Sequence, residues 1–163
     1  MVVDKTGRIT KRVEDVFLRF MRGYDLLRVE DPNDVLTRAM KESLDVILIN
    51  GDDFRNSLTA EMLQSFKVKI IPPPKLLLLL EPNLINMMPA LEREVDSVLD
   101  SMNFRMLQMR RVVHKLVEER FLEEMRRQKE EGKKKKNAFQ TALNEVEEMC
   151  EEIELEGESE EKA

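Results

Sequence analysis

The sequence predicts an all-α protein, and three observations support this fold class. Glycine is scarce, with five residues in 163, whereas 11 methionines and 37% charged residues are typical of helices. Apolar residues recur at helical spacing through most of the chain. No glycine or proline interrupts Ala90–Glu131, which is long enough for one extended helix. We therefore expect helices that pack on one another rather than a sheet.

Residues 1–85 are predicted to form a small helical unit. Three helices are expected. The first runs from a cap at Thr10 to a stop at Gly23, the second runs from a cap at Asp31 to a stop at Gly51, and the third runs from Thr59 to about Phe66. The run Val46–Ile49 is also compatible with a short buried strand, and the pattern leaves this alternative open.

Five consecutive leucines, Leu76–Leu80, follow the triple proline Pro72–Pro74. A helix that spans a membrane needs ~20 apolar residues, whereas Lys75 and Glu81 bound this block, so membrane insertion is not expected. Five adjacent apolar side chains point to every side of a helix or to both faces of a strand, so they must be covered. We expect a proline-bracketed hinge, with core on one side and a docking surface on the other.

Residues 86–131 are predicted to form a long coiled-coil-like helix. Its apolar residues are separated by three or four positions in a pattern that repeats every eleven, which is typical of a nearly straight helix beside a neighbour. Because so small an N-terminal unit cannot cover this rod, we expect it to bind a partner helix. The residues predicted to bind the partner are Leu91, Val95, Val98, Met102, Met106, Met109, Val113 and Val117.

The charge changes abruptly in the last part of the chain. Arg105–Lys136 has 12 basic and six acidic residues, whereas residues 137–163 have one basic and ten acidic. A basic break is predicted at 132–136. An amphipathic helix at 137–155 would fold back on the rod or pair with a partner, and 156–163 would be a disordered acidic tail.

The basic stretch predicts a second kind of contact. Clustered cations raise the affinity and association rate for polyanions such as nucleic acid or an acidic filament surface like that of a microtubule. Interleaved glutamates would instead make much of the stretch a solvated helix face. Both interpretations stay open. The residues that would bind a polyanion are Arg110, Arg111, Lys133, Lys134, Lys135 and Lys136.

The sequence contains no recognisable catalytic, metal-binding or cofactor-binding signature. His114 is the only histidine and Cys150 the only cysteine, so neither a zinc site nor a disulfide framework is expected. The stretch Asn50–Glu61 resembles a calcium loop only in part, because Phe54 and Arg55 stand where an oxygen ligand and a glycine are needed. We therefore expect a protein without metal, cofactor or enzymatic activity.

These observations predict a non-enzymatic helical interaction or scaffold subunit of a larger assembly, which docks through its long helix. The partner would be another protein, in a hetero- or homo-oligomer. The alternative is a polyanion-binding protein that uses residues 105–136. A single cysteine and an N-terminus without an apolar leader favour an intracellular location, cytoplasmic or nuclear.

Overall fold

The computed structural model describes residues 1–21, 23–85 and 89–160. Its first unit is built on a five-stranded sheet in which each neighbouring pair of strands is parallel. The predicted all-α class is therefore wrong, and the protein is α/β. The chain divides into two units, Met1–Phe121 and Leu122–Ala163.

The elements follow one another as a regular alternation of strands and helices. In chain order they are β1 (Val2–Val3), α1 (Arg8–Phe20), β2 (Arg28–Val29), α2 (Asp34–Ala39), β3 (Val46–Asn50), α3 (Ala60–Lys69), β4 (Lys75–Leu80), α4 (Pro82–Ile85), α5 (Pro89–Glu94), β5 (Ser97–Asp100) and α6 (Met106–Glu160).

The strands lie in the order β2-β1-β3-β4-β5. Parallel strands cannot be joined by a tight hairpin, so a helix crosses over between successive strands and covers a face of the sheet. The chain passes from β1 to β2 in one direction and then returns past β1 to β3. This is one of the two common doubly wound orders, and its direction reverses between β1 and β3.

Two apolar layers cover the sheet, one on each face. Helices α2, α3 and α5 contribute Val35, Leu63 and Leu91 to the first layer. Helix α1 and the start of α6 contribute Val13 and Met109 to the second layer. The sheet therefore has no solvated face, as expected for parallel strands between helices.

The five leucines form most of strand β4, between β3 and β5. Leu76, Leu78 and Leu80 pack in the layer with α2, α3 and α5, and Leu77 and Leu79 pack in the layer with α1 and α6. All five are buried. The predicted hinge with a docking surface is therefore wrong, because the two faces of one internal strand both need apolar side chains.

The second predicted helix is also corrected. Helix α2 covers only Asp34–Ala39, and Val46–Asn50 forms strand β3, which is the alternative that the sequence left open.

The first and third predicted helices are present as α1 and α3. The predicted cap and stop of α1 are wrong, because Thr10 lies inside the helix and the helix ends at Phe20 before Gly23. Thr59 caps α3, because its hydroxyl oxygen accepts a hydrogen bond from the Met62 N–H at 3.2 Å.

The predicted helix over 86–131 is replaced by α5, β5 and the start of α6. The Asp96 carboxylate accepts a hydrogen bond from the Leu76 N–H at 2.8 Å and fixes the start of β5 beside β4. After β5, the Asp100 carboxylate accepts hydrogen bonds from the N–H groups of Met102 and Asn103 at 2.8 and 3.1 Å. Such side-chain bonds to the backbone compete with helix formation and favour a turn.

Helix α6 runs through the predicted basic break at 132–136 without interruption. One glycine in a helix, here Gly132, costs only about 1 kcal/mol relative to alanine. Lys134 and Lys135 lie four residues after Glu130 and Glu131, respectively. Glutamate followed by lysine at this spacing stabilises a helix. The predicted acidic tail at 156–163 lies partly outside the described residues, and its disorder stays a prediction.

We expect Leu78→Ala to lower the free energy of unfolding by about 2–5 kcal/mol, because it leaves a cavity in the core beside β4 that the surrounding side chains can fill only in part. Leu107→Ala is the matched control, since Leu107 is exposed at the start of α6. Urea unfolding followed by circular dichroism would measure both variants. Equal losses for the two would contradict the placement of the leucine block inside a sheet.

Candidate functional site

The sheet topology indicates where a ligand site would lie. In doubly wound sheets, ligands bind outside the carboxyl ends of the strands at the point where the strand order reverses. Asp4 follows β1, and Asn50 ends β3 and is followed by Asp52 and Asp53. We call Asp4, Thr10, Asn50 and Asp53 with Thr6 the switch-point cluster.

Asp4 is the centre of the switch-point cluster and is fully buried. Its Oδ2 accepts hydrogen bonds from the Thr10 N–H at 2.6 Å and from the Thr10 hydroxyl at 2.8 Å. Its Oδ1 accepts a hydrogen bond from the Asn50 Nδ2 at 2.9 Å. Three protein donors therefore hold the carboxylate, and it joins the ends of β1 and β3 to the first turn of α1.

Asn50 places a neutral amide beside this carboxylate. Its Nδ2 faces Asp4, while its Oδ1 is buried and has no hydrogen-bond partner among the described residues. A carboxylate in the same position would place two like charges in contact inside the protein. The amide avoids this repulsion. Because an amide does not ionise near neutral pH, Asn50 fits a structural role better than acid-base or nucleophilic chemistry.

The other two carboxylates of the β3 loop also have protein donors. Asp53 accepts hydrogen bonds from the N–H and the hydroxyl of Thr6, both at 3.0 Å. Asp52 accepts hydrogen bonds from the Glu81 N–H at 2.9 Å and from the Ser101 hydroxyl. These contacts connect the ends of β3, β4 and β5. Within residues 1–21, 23–85 and 89–160, no group of three acidic, histidine or cysteine side chains is arranged to hold a metal ion.

Gly51 is required at this edge of the sheet by a close approach of β4. A Cβ atom at Gly51 would lie 2.5 Å from Leu80 Cδ2 and 3.1 Å from the Leu79 carbonyl oxygen. Gly51 was predicted to end the second helix, which is wrong because it follows strand β3. Its actual role is to let the chain pass over the end of the neighbouring strand.

Two opposing effects set the pKa of Asp4. Burial raises the pKa, whereas hydrogen bonds from the Asn50 amide, from the Thr10 N–H and hydroxyl, and with the neighbouring Asp53 carboxyl lower it. The hydrogen bonds together outweigh the burial, so the pKa lies below the usual aspartate value. The native protein therefore keeps this carboxylate ionised in conditions where an unfolded chain would protonate it.

The chain matches no family model, no curated protein and no solved structure. Its function must therefore be inferred from its own geometry.

The eight residues predicted to bind a partner do not share one surface. Leu91, Met109 and Val113 are buried in the two layers around the sheet, and Val95, Val98 and Val117 pack partly against them. Met102 and Met106 are exposed. The spacing of these residues reflects contacts of α5, β5 and α6 with one sheet, because each element directs some of its apolar side chains to the core.

The six residues predicted to bind a polyanion are all exposed. Arg110 and Arg111 lie on α6 within the first unit, and Lys133–Lys136 lie on α6 within the second unit. Within the described part of the chain, no helix is long and apolar enough to cross a membrane.

The second unit carries the other candidate site. Leu122, Met125, Phe139 and Leu143 lie on α6 and are between 40% and 67% exposed. We call these four residues the α6 stripe. Their positions are separated by three, fourteen and four residues, which are heptad spacings. Leu122 and Met125 fall in the predicted rod over 86–131, and Phe139 and Leu143 fall in the separate helix predicted at 137–155, so a shared stripe was not predicted.

We expect Asp4→Ala to lower the free energy of unfolding by more than about 2 kcal/mol, because it leaves the buried donors of Thr10 and Asn50 without an acceptor. Asp53→Ala should cost less, since the bonds from Thr6 lie near solvent. Chemical denaturation of both variants at neutral pH measures the difference. A loss for Asp53→Ala as large as that for Asp4→Ala would contradict the central position of Asp4.

We also expect the stability to depend on Asp4 in acid. Because the native pKa lies below the unfolded value of about 3.9, the stabilisation is complete above that value and is lost as the pH falls through the native pKa. Unfolding free energies from about pH 5 to about pH 3 should fall less steeply in Asp4→Asn than in the wild type. Identical slopes would show that Asp4 does not supply this pH dependence.

Proposed function

We propose that this protein is a non-enzymatic interaction subunit, in which an α/β unit is joined to a long helix that binds another protein chain. The observation that carries the proposal is the α6 stripe, two pairs of exposed large apolar side chains that lie 14 residues apart at heptad spacing on one helix. The proposal keeps the expected scaffold role and moves the binding surface from the eight predicted residues to the second unit.

The exposure of the α6 stripe supports binding to another chain. Most of the stability of a helix in a protein comes from packing of its apolar face. The residues of α6 that pack in the first unit end at Leu116 and Val117. Four large apolar side chains then follow on the second unit, each at least 40% exposed. Full burial of such a side chain from water is worth about 1.5–3 kcal/mol, and covering the exposed part of all four would supply a share of this for each, which together favours binding of a partner.

The switch-point cluster supports a role without catalysis. Its carboxylates accept hydrogen bonds from Thr6, Thr10 and Asn50 rather than facing a cleft with unused acceptors. A general base must reach the proton that it removes, and Asp4 is fully buried. These contacts stabilise the strand ends.

Binding of a polyanion is the second candidate function. The four lysines Lys133–Lys136 are consecutive and exposed on α6. Consecutive residues on a helix point in different directions at about 100° intervals, so they do not form one flat basic face. Their arrangement is typical of a solvated helix segment between the two parts of the α6 stripe rather than of a phosphate-binding surface. A strongly charged segment can nevertheless attract nucleic acid at low salt.

A pair of aspartate variants tests the proposed function. Leu143→Asp places a charge in the α6 stripe, whereas Thr141→Asp adds the same charge two residues away, outside the heptad positions of the stripe. We expect Leu143→Asp to weaken assembly at least tenfold, because it removes apolar contact and leaves an unpaired charge in the covered stripe, and Thr141→Asp to assemble normally. The mass of the complexes formed in native extract and by the purified protein would be measured by gel filtration with light scattering.

Salt separates the two candidates in the same measurement. An apolar contact tolerates high salt, whereas phosphate contacts weaken steeply as salt rises. If Leu143→Asp assembles like the wild type, while alanine at all four positions 133–136 removes a salt-sensitive complex, the proposal is wrong and the polyanion function replaces it.

A further inference from the structure

We propose that Asn50 is a site of spontaneous deamidation that the folded first unit blocks, so that a chain that loses this fold is marked irreversibly at position 50. Asparagine is chemically labile in proteins, and it is most labile before glycine, because a residue without a side chain leaves its nitrogen unhindered. Gly51 follows Asn50 directly. The inference concerns the first unit and does not depend on the proposed function of α6.

The reaction needs only these two residues and water. The Gly51 nitrogen gives up its proton and forms a bond to the side-chain carbonyl carbon of Asn50. The bond from that carbon to Nδ2 breaks, and the nitrogen leaves as ammonia. Water then opens the resulting cyclic imide at either of its carbonyl carbons. Opening at the side-chain carbon gives aspartate, and opening at the main-chain carbon gives isoaspartate, in which the backbone runs through the former side chain.

Strand pairing keeps the attacking nitrogen away from its target in the native protein. Asn50 is the last residue of β3 and pairs with Leu79 of β4. The Gly51 N–H donates a hydrogen bond to the Leu79 carbonyl oxygen at 2.8 Å, so the sheet holds the proton that the reaction must remove. Ring closure also needs rotation about the Cα–C bond of Asn50, away from the extended backbone of a strand. That rotation would break the pairing with β4.

The surroundings of the Asn50 side chain oppose the same reaction. The side chain is fully buried, and its Nδ2, the leaving group, donates a hydrogen bond to the Asp4 carboxylate at 2.9 Å. Its Oδ1 would gain negative charge as the ring forms, yet it has no hydrogen-bond partner within the described part of the chain. A buried negative oxygen without a donor is strongly disfavoured, and the ionised Asp4 would repel it.

Either product would oppose refolding. Aspartate at position 50 replaces the Nδ2 donor with a carboxylate oxygen that faces Asp4, which places two like charges together inside the protein. Isoaspartate lengthens the backbone at the end of β3 and moves the Gly51 N–H away from the Leu79 carbonyl oxygen. Because the ammonia has left, neither product returns to asparagine. The chemical change therefore records that the fold was lost.

Deamidation rates of the full-length wild type test the block. The protein would be held in buffer and in guanidinium chloride at the same mildly alkaline pH, and position 50 would be followed by mass spectrometry of its peptides. We expect conversion to be at least about tenfold slower in the native protein, because a central strand opens only at a large part of the free energy of unfolding. Asn56 is the internal reference, since it is exposed and precedes Ser57, and its rate should differ less. Equal rates at position 50 in the two solutions would overturn the inference.

Two variants test whether loss of the fold controls the rate. In buffer, Leu78→Ala should be deamidated at position 50 at least about tenfold faster than the wild type, because lower stability raises the population of open chains. Leu107→Ala is the control and should match the wild type, since Leu107 is exposed. A rate that Leu78→Ala leaves unchanged would overturn the link between the reaction and loss of the fold.

Asn50→Asp imitates the aspartate product and tests its effect on refolding. We expect this variant to unfold at a lower denaturant concentration than the wild type at neutral pH. Adding Asp4→Asn to the same chain should recover most of the loss, because the exchanged pair again joins one amide to one carboxylate. An Asn50→Asp protein as stable as the wild type would overturn the claim that the change opposes refolding.

Discussion

The parallel pairing of β4 with β3 and β5 is the constraint on which the rest of the structure depends. Leu76–Leu80 are buried on both sides of β4, so each face of the sheet must carry a helical layer. Parallel pairing also requires a crossover between successive strands, and the crossovers provide those layers. The start of α6 is part of this arrangement, because Met109 and Val113 cover β4 from the side opposite to Leu78. One apolar strand thus determines the positions of both layers.

The same pairing places all the carboxyl ends of the strands at one edge. This position is where doubly wound proteins usually bind ligands, yet here the polar side chains of the edge bond to one another and to the backbone. Asp4 is held by Thr10 and Asn50, and Asp52 is held by Ser101 and the Glu81 N–H. A neutral Asn50 donates a hydrogen bond to Asp4 without adding a negative charge at that position. The edge therefore stabilises the fold, which is why the proposed function rests on α6.

Local signals predicted α1 and α3, because the apolar face of each helix is encoded within a few residues. The sheet was missed because its stability comes from pairing between distant segments. Strands β1 and β2 have only two residues each, which is too short for a periodic pattern. Asp100 with Asn103 was a turn signal that could have divided the predicted long helix, since both residues favour side-chain bonds to the backbone.

The candidate binding site was predictable only in part, because the spacing of the apolar residues changes along α6. Met109, Val113 and Leu116 are separated by four and three residues and pack on the sheet. The α6 stripe begins at Leu122, six residues after Leu116, whereas one continuous heptad would place its members three, four or seven residues apart. The described part of the helix therefore contains two apolar patterns that differ in phase. The first is covered within the chain, whereas the side chains of the second are exposed, which is the basis of the proposed function.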